Sequence, residues 1–412
     1  MSQYGTALVL EILKQENGLS MGIFESDQLA STIRHYSRCP VSFNEINKFC
    51  SEITSLLNKA NKRRSFESDL IADLKKTGQL LWDHLLTGTV KDKLKNTPNR
   101  DLILFLDEEL INIPWELIYA EREFLCLKFN LGRLVRSREQ PNPLQSRSTN
   151  TLLKMLVLAN PTNDLKSAYL EGLSIKNQFD RRSKEIKIDF KSTNIDKLYV
   201  KKNLRDYDIV HFAGHCEYND DNPKDTGWVL SDGRFTTQDI VALGQSLSLP
   251  SLIFSNSCQS AKVGGESMQT DYQEKTYSLA SAFLFSGVRH YIGTIWKIED
   301  PIGSTFAKEF YLQLIKGESV GQCLRKARLR LIEDYKLNCL AWANYLLYGD
   351  PNFALFRKKE KLHLAASKFK ISLSKKSILK MLLAASVISI GIYLYLWLPT
   401  INPGTYLMFT KA

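Results

Sequence analysis

Several common chemistries have no foothold in this 412-residue chain. It contains no HExxH helix for zinc and no GK[ST] ending for a phosphate loop. Its seven cysteines (Cys39, Cys50, Cys126, Cys216, Cys258, Cys323 and Cys339) are scattered, odd in number and free of any CxxC pair. That pattern argues against a disulfide framework and a cysteine-rich zinc site, and points to a reducing compartment. No repeat of solenoid length is visible, so a stacked-repeat architecture is not expected. The opening MSQYGTALVLEILKQENG lacks the basic, apolar, small-residue order of a secretory signal. Neither a metal ion nor a cofactor is expected.

Apolar side chains, in contrast, are plentiful. At 44% hydrophobic and 10% aromatic residues, the chain can bury a sizeable core. Charge is unbalanced, with 55 Lys and Arg against 44 Asp and Glu and a formal net charge of +11. Part of the excess lies in FRKKEKLHLAASKFKISLSKK, which reads as a basic juxtamembrane linker (357–377) attracted to anionic headgroups. MLLAASVISIGIYLYLWL follows, without a charge and at the short end of what spans a bilayer. The predicted transmembrane helix covers 378–398, with Tyr393, Tyr395 and Trp397 as interfacial anchors. Lys368, Lys370, Lys375, Lys376 and Lys380 precede the charge-free run 381–398, and only Lys411 follows in the short tail 399–412. By the positive-inside rule, the body then stays in the cytoplasm and the tail crosses. A buried helix is the competing reading, disfavoured because the run is apolar on every face. Nucleic acid competes for the charge, but no reading helix or aromatic platform accompanies it, so none is expected as a partner.

Along the chain, a strand is predicted at 7–13, helices near 43–61 and 66–86, and the next strand as DLILFLDEELINIPWELIYA (101–120), where Pro114 can start a short helix. The three carboxylates Asp107, Glu108 and Glu109 in that stretch read as a solvated turn. The polar, proline-containing 137–150 is the predicted linker. Beyond it, apolar strands at 152–160, 186–190, 207–214, 251–257 and 288–296 alternate with helices at 168–179, 277–287, 301–316 and 320–335. This rhythm predicts an α/β fold with a mostly parallel sheet flanked by helices on both faces. In such sheets ligands sit at the carboxyl ends of strands.

Two of those predicted strands stop at a reactive side chain. DYDIVHFAGHCEYND ends its apolar run near His215, and SLIFSNSCQSAKVGGES ends its run at Cys258. A thiol hydrolase needs a nucleophile, a base within reach and backbone donors for the oxyanion. Cys258 and His215 offer the first two, Gly214 permits a sharp turn before the base, and the backbone N–H groups of Cys216 and Cys258 offer the third. The plainer alternative is a buried cysteine and a satisfied core histidine in an ordinary sheet. His211 and His215 are four apart but lie in a strand-to-turn stretch, which does not suit a helical zinc site.

The ordered set IVHFAGH, WVLSDGRFTTQDI, LIFSNSCQSA, SLASAFLFSGVRHYIGTIWKIED, FYLQLIKGESVGQCLRKAR and WANYLLYGDP, preceded by LFLDEELINIPWELIYA and LVLANPTNDLKSAYLEG, resembles the CHAT family of caspase-like cysteine peptidases. The resemblance implies a caspase-like sheet in 151–356, preceded by a pseudo-caspase α/β half in 1–136 without catalytic residues. It implies peptide-bond hydrolysis of a protein substrate by a Cys–His dyad, with Cys258 as nucleophile, His215 as general base and His211 structural. An activating protein partner is also implied. Cys216 departs from the small residue usual after the second histidine, at the expected oxyanion donor. GTIWKIED resembles the separase segment in which an aspartate lines the S1 pocket, so Asp300 implies a preference for a basic P1 residue. Asp300 as cap of the helix opened by Pro301 is the alternative. Asp164, in the loop after the first strand of this half, is the second S1 candidate. The expected protein is therefore a membrane-tethered cysteine endopeptidase, with a catalytically silent CHAT-fold interaction module or adaptor as the alternative.

Overall fold

The computed structural model describes residues 6–27, 34–62, 68–137, 152–182, 185–217, 219, 222–245, 248–257, 279–295, 300–337, 339–356, 386–394 and 396. The chain divides into two units, Met1–Lys358 and Lys359–Ala412.

The first part of the larger unit contains β1 (Leu8–Gln15), β2 (Gly18–Glu25), β3 (Ser37–Pro40), α1 (Phe43–Lys62), α2 (Ser68–Leu85) and α3 (Gly88–Asn96). It continues through β4 (Asp101–Asp107), the small hairpin β5 (Tyr119–Ala120) and β6 (Glu123–Phe124), α4 (Leu125–Lys128) and β7 (Asn130–Arg136). The second part runs β8 (Leu153–Ala159), α5 (Lys166–Arg182), β9 (Ile186–Ser192), α6 (Lys197–Asn203), β10 (Ile209–Ala213) and β11 (Cys216–Glu217). It ends with β12 (Gly227–Leu230), β13 (Gly233–Thr236), α7 (Thr237–Gly244), β14 (Leu252–Asn256), α8 (Leu279–Phe285), β15 (His290–Thr294), α9 (Asp300–Ile315), α10 (Val320–Tyr335) and β16 (Tyr345–Tyr348).

Eleven strands form one sheet in the order β3-β2-β1-β4-β7-β16-β15-β14-β10-β8-β9. Most neighbours are parallel; β1 with β2, β2 with β3 and β15 with β16 are antiparallel. The predicted alternation of apolar strands and helices is thus present as a mixed α/β fold. Both parts build the same sheet, because β16 returns to pair with β15 on one side and β7 on the other. The linker expected at 137–150 lies outside the described residues except for Ser137.

Alternate residues of the central strands feed two cores, as the two-residue period of a strand requires. Met155, Val157, Ile209, Leu252 and Phe254 join α5, α9 and α10 on one face. Leu156, Leu158, Val210, Phe212 and Ile253 join α6, α7 and α8 on the other. The strands are therefore near-continuous apolar runs, β10 being buried at every residue. Where α5 crosses the sheet the approach is close: a Cβ on Gly172 would lie 2.7 Å from the Ala159 Cβ.

In the smaller unit, residues 386–394 are helical and Val387, Ile388, Ile390, Ile392 and Leu394 are exposed. Among the described residues no helix is long and apolar enough to cross a membrane, so the expected anchor finds no support there. The rest of the expected 378–398 span, apart from Leu396, lies outside the described residues.

Candidate functional site

The carboxyl ends of β8, β10 and β14 lie side by side, since β10 pairs in parallel with both others. Their registers put Ala213 opposite Ala159 on one side and Asn256 on the other. His215 is two residues beyond Ala213, and Cys258 is two residues beyond Asn256. Cys258 itself falls in 258–278, outside the described residues.

His215 is held from three directions. Its carbonyl accepts from the Val229 N–H at 2.9 Å, fixing the chain to β12. The preceding Gly214 packs where a Cβ would come within 2.9 Å of both the Phe212 ring and Pro161 Cδ, so the missing side chain is what lets the turn form. The ring then reaches the loop after β8: His215 Nε2–H donates to Asp164 Oδ2 at 2.9 Å. That loop is fastened to the same strand end, because the Asn160 N–H donates to the Ala213 carbonyl at 2.8 Å. Asn160 and Asn163 take left-handed backbone conformations (φ 52° and 64°), which asparagine tolerates better than most residues. The Asn160 side chain accepts from the Leu165 N–H at 2.8 Å and closes the loop.

The Asp164 carboxyl is held below its usual range by a hydrogen bond from the Thr162 hydroxyl and then by that from His215. With the carboxylate accepting at Nε2, the imidazole keeps its Nδ1 lone pair for another proton. Both side chains remain open, 43% and 57% exposed. Asp164 was expected to line S1; in the structure its carboxylate sits on the imidazole. Asp300 is the first residue of α9, and its side chain lies outside the described residues.

Cys216 pairs with Trp228 across β11 and β12. Because the Val229 N–H bonds the His215 carbonyl, this is the non-hydrogen-bonded type of antiparallel pair. The Cys216 N–H is therefore turned away from β12.

The chain leading to Cys258 is pinned just before it. Trp228 stacks on Phe212 with ring centroids 4.3 Å apart, and its indole N–H donates to the Ser255 hydroxyl at 2.9 Å. Ser255 and Ser257 share a hydrogen bond of 2.9 Å, and the Ser257 carbonyl accepts from the Thr294 hydroxyl.

His211 lies below the rim, wholly buried. Its Nε2 meets Glu171 Oε1 at 2.8 Å and its Nδ1 meets the Tyr311 hydroxyl at 3.2 Å. This is the setting of a structural histidine. Glu171, absent from the sequence reading, sits on the buried stripe of α5 with Ala168, Ile175 and Phe179. A carboxylate at that spacing was the signal that could have found it. The stretch Gly18–Gly22 spells GxSxG, but Ser20 lies inside β2, paired with Leu13 and Arg38, and not at a strand-to-helix elbow. Among the described residues no group of three His, Cys, Asp or Glu side chains could hold a metal ion.

A mostly parallel sheet covered on both faces, with an imidazole–carboxylate pair on the rim, defines a class of α/β proteins with a strand-end site. Within it, the CHAT domain matches residues 75–350, more than half of the sequence, and the chain belongs to that family. No curated protein sequence matches. Among solved structures, separase of Saccharomyces cerevisiae in its complex with securin is similar, with a TM-score of 0.52 and 14% identity over 84% of this chain. A second structure of that complex gives 0.51 and 13%. This chain spans 30% of the separase chain's length. Gingipain R, an arginine-specific cysteine proteinase, aligns at a TM-score of 0.44 and 13% identity, covering 74% of this chain and 76% of its own. The separase likeness shows the fold alone.

Proposed function

We propose that the protein is a caspase-like cysteine endopeptidase, in which His215 draws the proton from Cys258 and the thiolate attacks the scissile carbonyl of a protein substrate. Water then releases the acyl-enzyme. The observation that carries this reading is the His215–Asp164 hydrogen bond at the end of β10, beside the strand that leads to Cys258. It orients the imidazole with Nδ1 available, which is what a general base requires. Continued strand alternation favours the same grouping, since residues 211 and 256 already meet on one face through Glu171. Asp164 then serves the base, leaving Asp300 as the residue for a basic P1 side chain. The Cys216 N–H and the Cys258 N–H would receive the oxyanion. We also propose the membrane tether and a cytoplasmic body, on the charge-free 381–398, its lysine-rich leading flank and the exposed apolar helix 386–394.

Fluorogenic peptides with Arg or Lys at P1 test the reading on wild type, Cys258→Ala and Asp300→Asn. Cleavage should vanish in the first variant and lose its preference for basic P1 in the second. Without any Cys258-dependent cleavage, even with an activating partner present, the protein is a CHAT-fold interaction module.

A further inference from the structure

Below the rim, one carboxylate joins the chain segments that carry the candidate groups. Glu171 is 3% exposed on α5, the helix that begins just after Asp164. Its Oε1 and Oε2 accept from Asn256 Nδ2 at 2.8 and 2.9 Å, and Oε1 also meets His211 Nε2 at 2.8 Å. Asn256 Oδ1 accepts from the Tyr345 hydroxyl at 3.0 Å. Burial, and after it the charge of Glu171, pushes the Tyr311 and Tyr345 hydroxyls well up, so both remain donors. The carboxylate can only accept, so His211 Nε2–H donates to Glu171, and in the neutral imidazole Nδ1 accepts from the Tyr311 hydroxyl. The amide is also confined from the far side: a Cβ on Gly303 of α9 would lie 3.1 Å from Asn256 Nδ2.

Stability alone does not call for this arrangement. Burying a carboxylate costs solvation that well-packed apolar groups would not lose, and the opposite face of the same strands is filled by Leu156, Val210 and Ile253. The positions tied together carry the explanation. Asn256 is two residues before Cys258, and His211 is four before His215.

We propose that Glu171 is a positioning residue, whose carboxylate clamps β14 through Asn256 to β10 through His211 and so sets the separation of the Cys258 thiol from the His215 imidazole. The proposal rests on the peptidase reading and adds to it a part that touches neither substrate nor reacting atoms.

The test follows alkylation of Cys258 in the full-length protein by iodoacetamide, read by mass spectrometry against pH, with the thermal midpoint measured alongside. In wild type the rate should stay high well below the ordinary thiol range, because a paired imidazole favours the thiolate. Glu171→Gln and Asn256→Asp should each slow the neutral-pH rate by on the order of tenfold to a hundredfold and move the profile towards that of a free thiol. Combining the two exchanges carboxylate and amide, rebuilds the contacts, and should restore most of the rate. Tyr345→Phe, which removes only one hydroxyl, should give a smaller slowing and serves if a charge-changing variant does not fold. Single variants that lower the thermal midpoint yet keep the wild-type profile would overturn the clamp, as would a double variant no faster than either single one. An ordinary thiol profile in wild type would instead remove the peptidase reading, and the clamp with it.

Discussion

The two parts of the sheet use the same architecture for different ends. In the first, the strand ends are spent on holding the chain: Asp107 accepts the Lys14 N–H at 2.7 Å, and Glu109 pairs with the Lys14 ammonium. Of the three carboxylates read as a solvated turn, Asp107 and Glu109 are thus half-buried ties to β1, and Glu108 accepts from the Ser137 hydroxyl at 3.2 Å. In the second, the strand ends present His215 and Asp164 to solvent. Each part also buries a carboxylate that accepts from a side-chain N–H. Glu116 and Arg133 close on themselves, with Arg133 further donating to the carbonyls of Ile111 and Ile113 at 2.5 and 3.1 Å. Glu171 and His211 instead lead, through Asn256, to the rim. Topology makes the division unavoidable. Because β16 is antiparallel to β15 and parallel to β7, strand polarity reverses between the parts. The carboxyl ends of β1, β4 and β7 therefore lie on the sheet edge away from His215 and cannot complete its site.

The sharpest way to break this contrast is to remove the rim groups. His215→Ala should lower peptide turnover by on the order of ten-thousandfold or more while leaving the thermal midpoint within a few degrees, as measured by kcat and calorimetry. Arg133→Ala should do the reverse. It leaves Glu116 buried and unpaired, costing about 3–5 kcal/mol in urea unfolding, with turnover per folded molecule unchanged.

A buried group far from the rim sharpens the comparison through pH. His290 stacks on Phe353, and burial pushes its imidazole down to about 4. The unfolded chain, with a histidine near 6.5, binds the extra proton first. Stability should thus rise with pH between about 4 and 6.5 and flatten above, by roughly 3 kcal/mol in all. His290→Phe should remove most of that slope in denaturation curves and leave turnover at neutral pH alone. Asp164→Ala should cut kcat by roughly tenfold to a hundredfold through misorientation of His215. In wild type the carboxylate should go on accepting from His215 throughout the ordinary carboxylate range, since the Asp164 carboxyl is held below it and the hydrogen bond is lost only as pH falls through that lowered value. Gly214→Ala should lower kcat as well, because the added methyl would come within 2.9 Å of the buried Phe212 ring and of Pro161 Cδ and so disturb the turn that carries His215.

The sequence made the second part legible because β8, β10 and β14 are buried on both faces and read as continuous apolar runs between helices. The first part was harder. In β2 glycines interrupt the pattern, β7 carries the buried Arg133, and β16 is a short run that gains its meaning only from the two strands it joins. Among candidate site residues, Cys258 and His215 stood out by ending apolar runs. Glu171 did not, because a carboxylate in an amphipathic helix reads as surface until the stripe it shares is counted. The Asp164–His215 contact depends on a loop closing back over β10, which no local pattern reports.

The central claim is tested most directly by a peptidyl chloromethyl ketone with arginine at P1, applied to wild type and His215→Ala and mapped over all seven cysteines. A single adduct at Cys258, formed in wild type and lost in the variant, is the predicted result. Adducts spread among the cysteines, or an adduct at Cys258 that forms as fast without the imidazole, would contradict it.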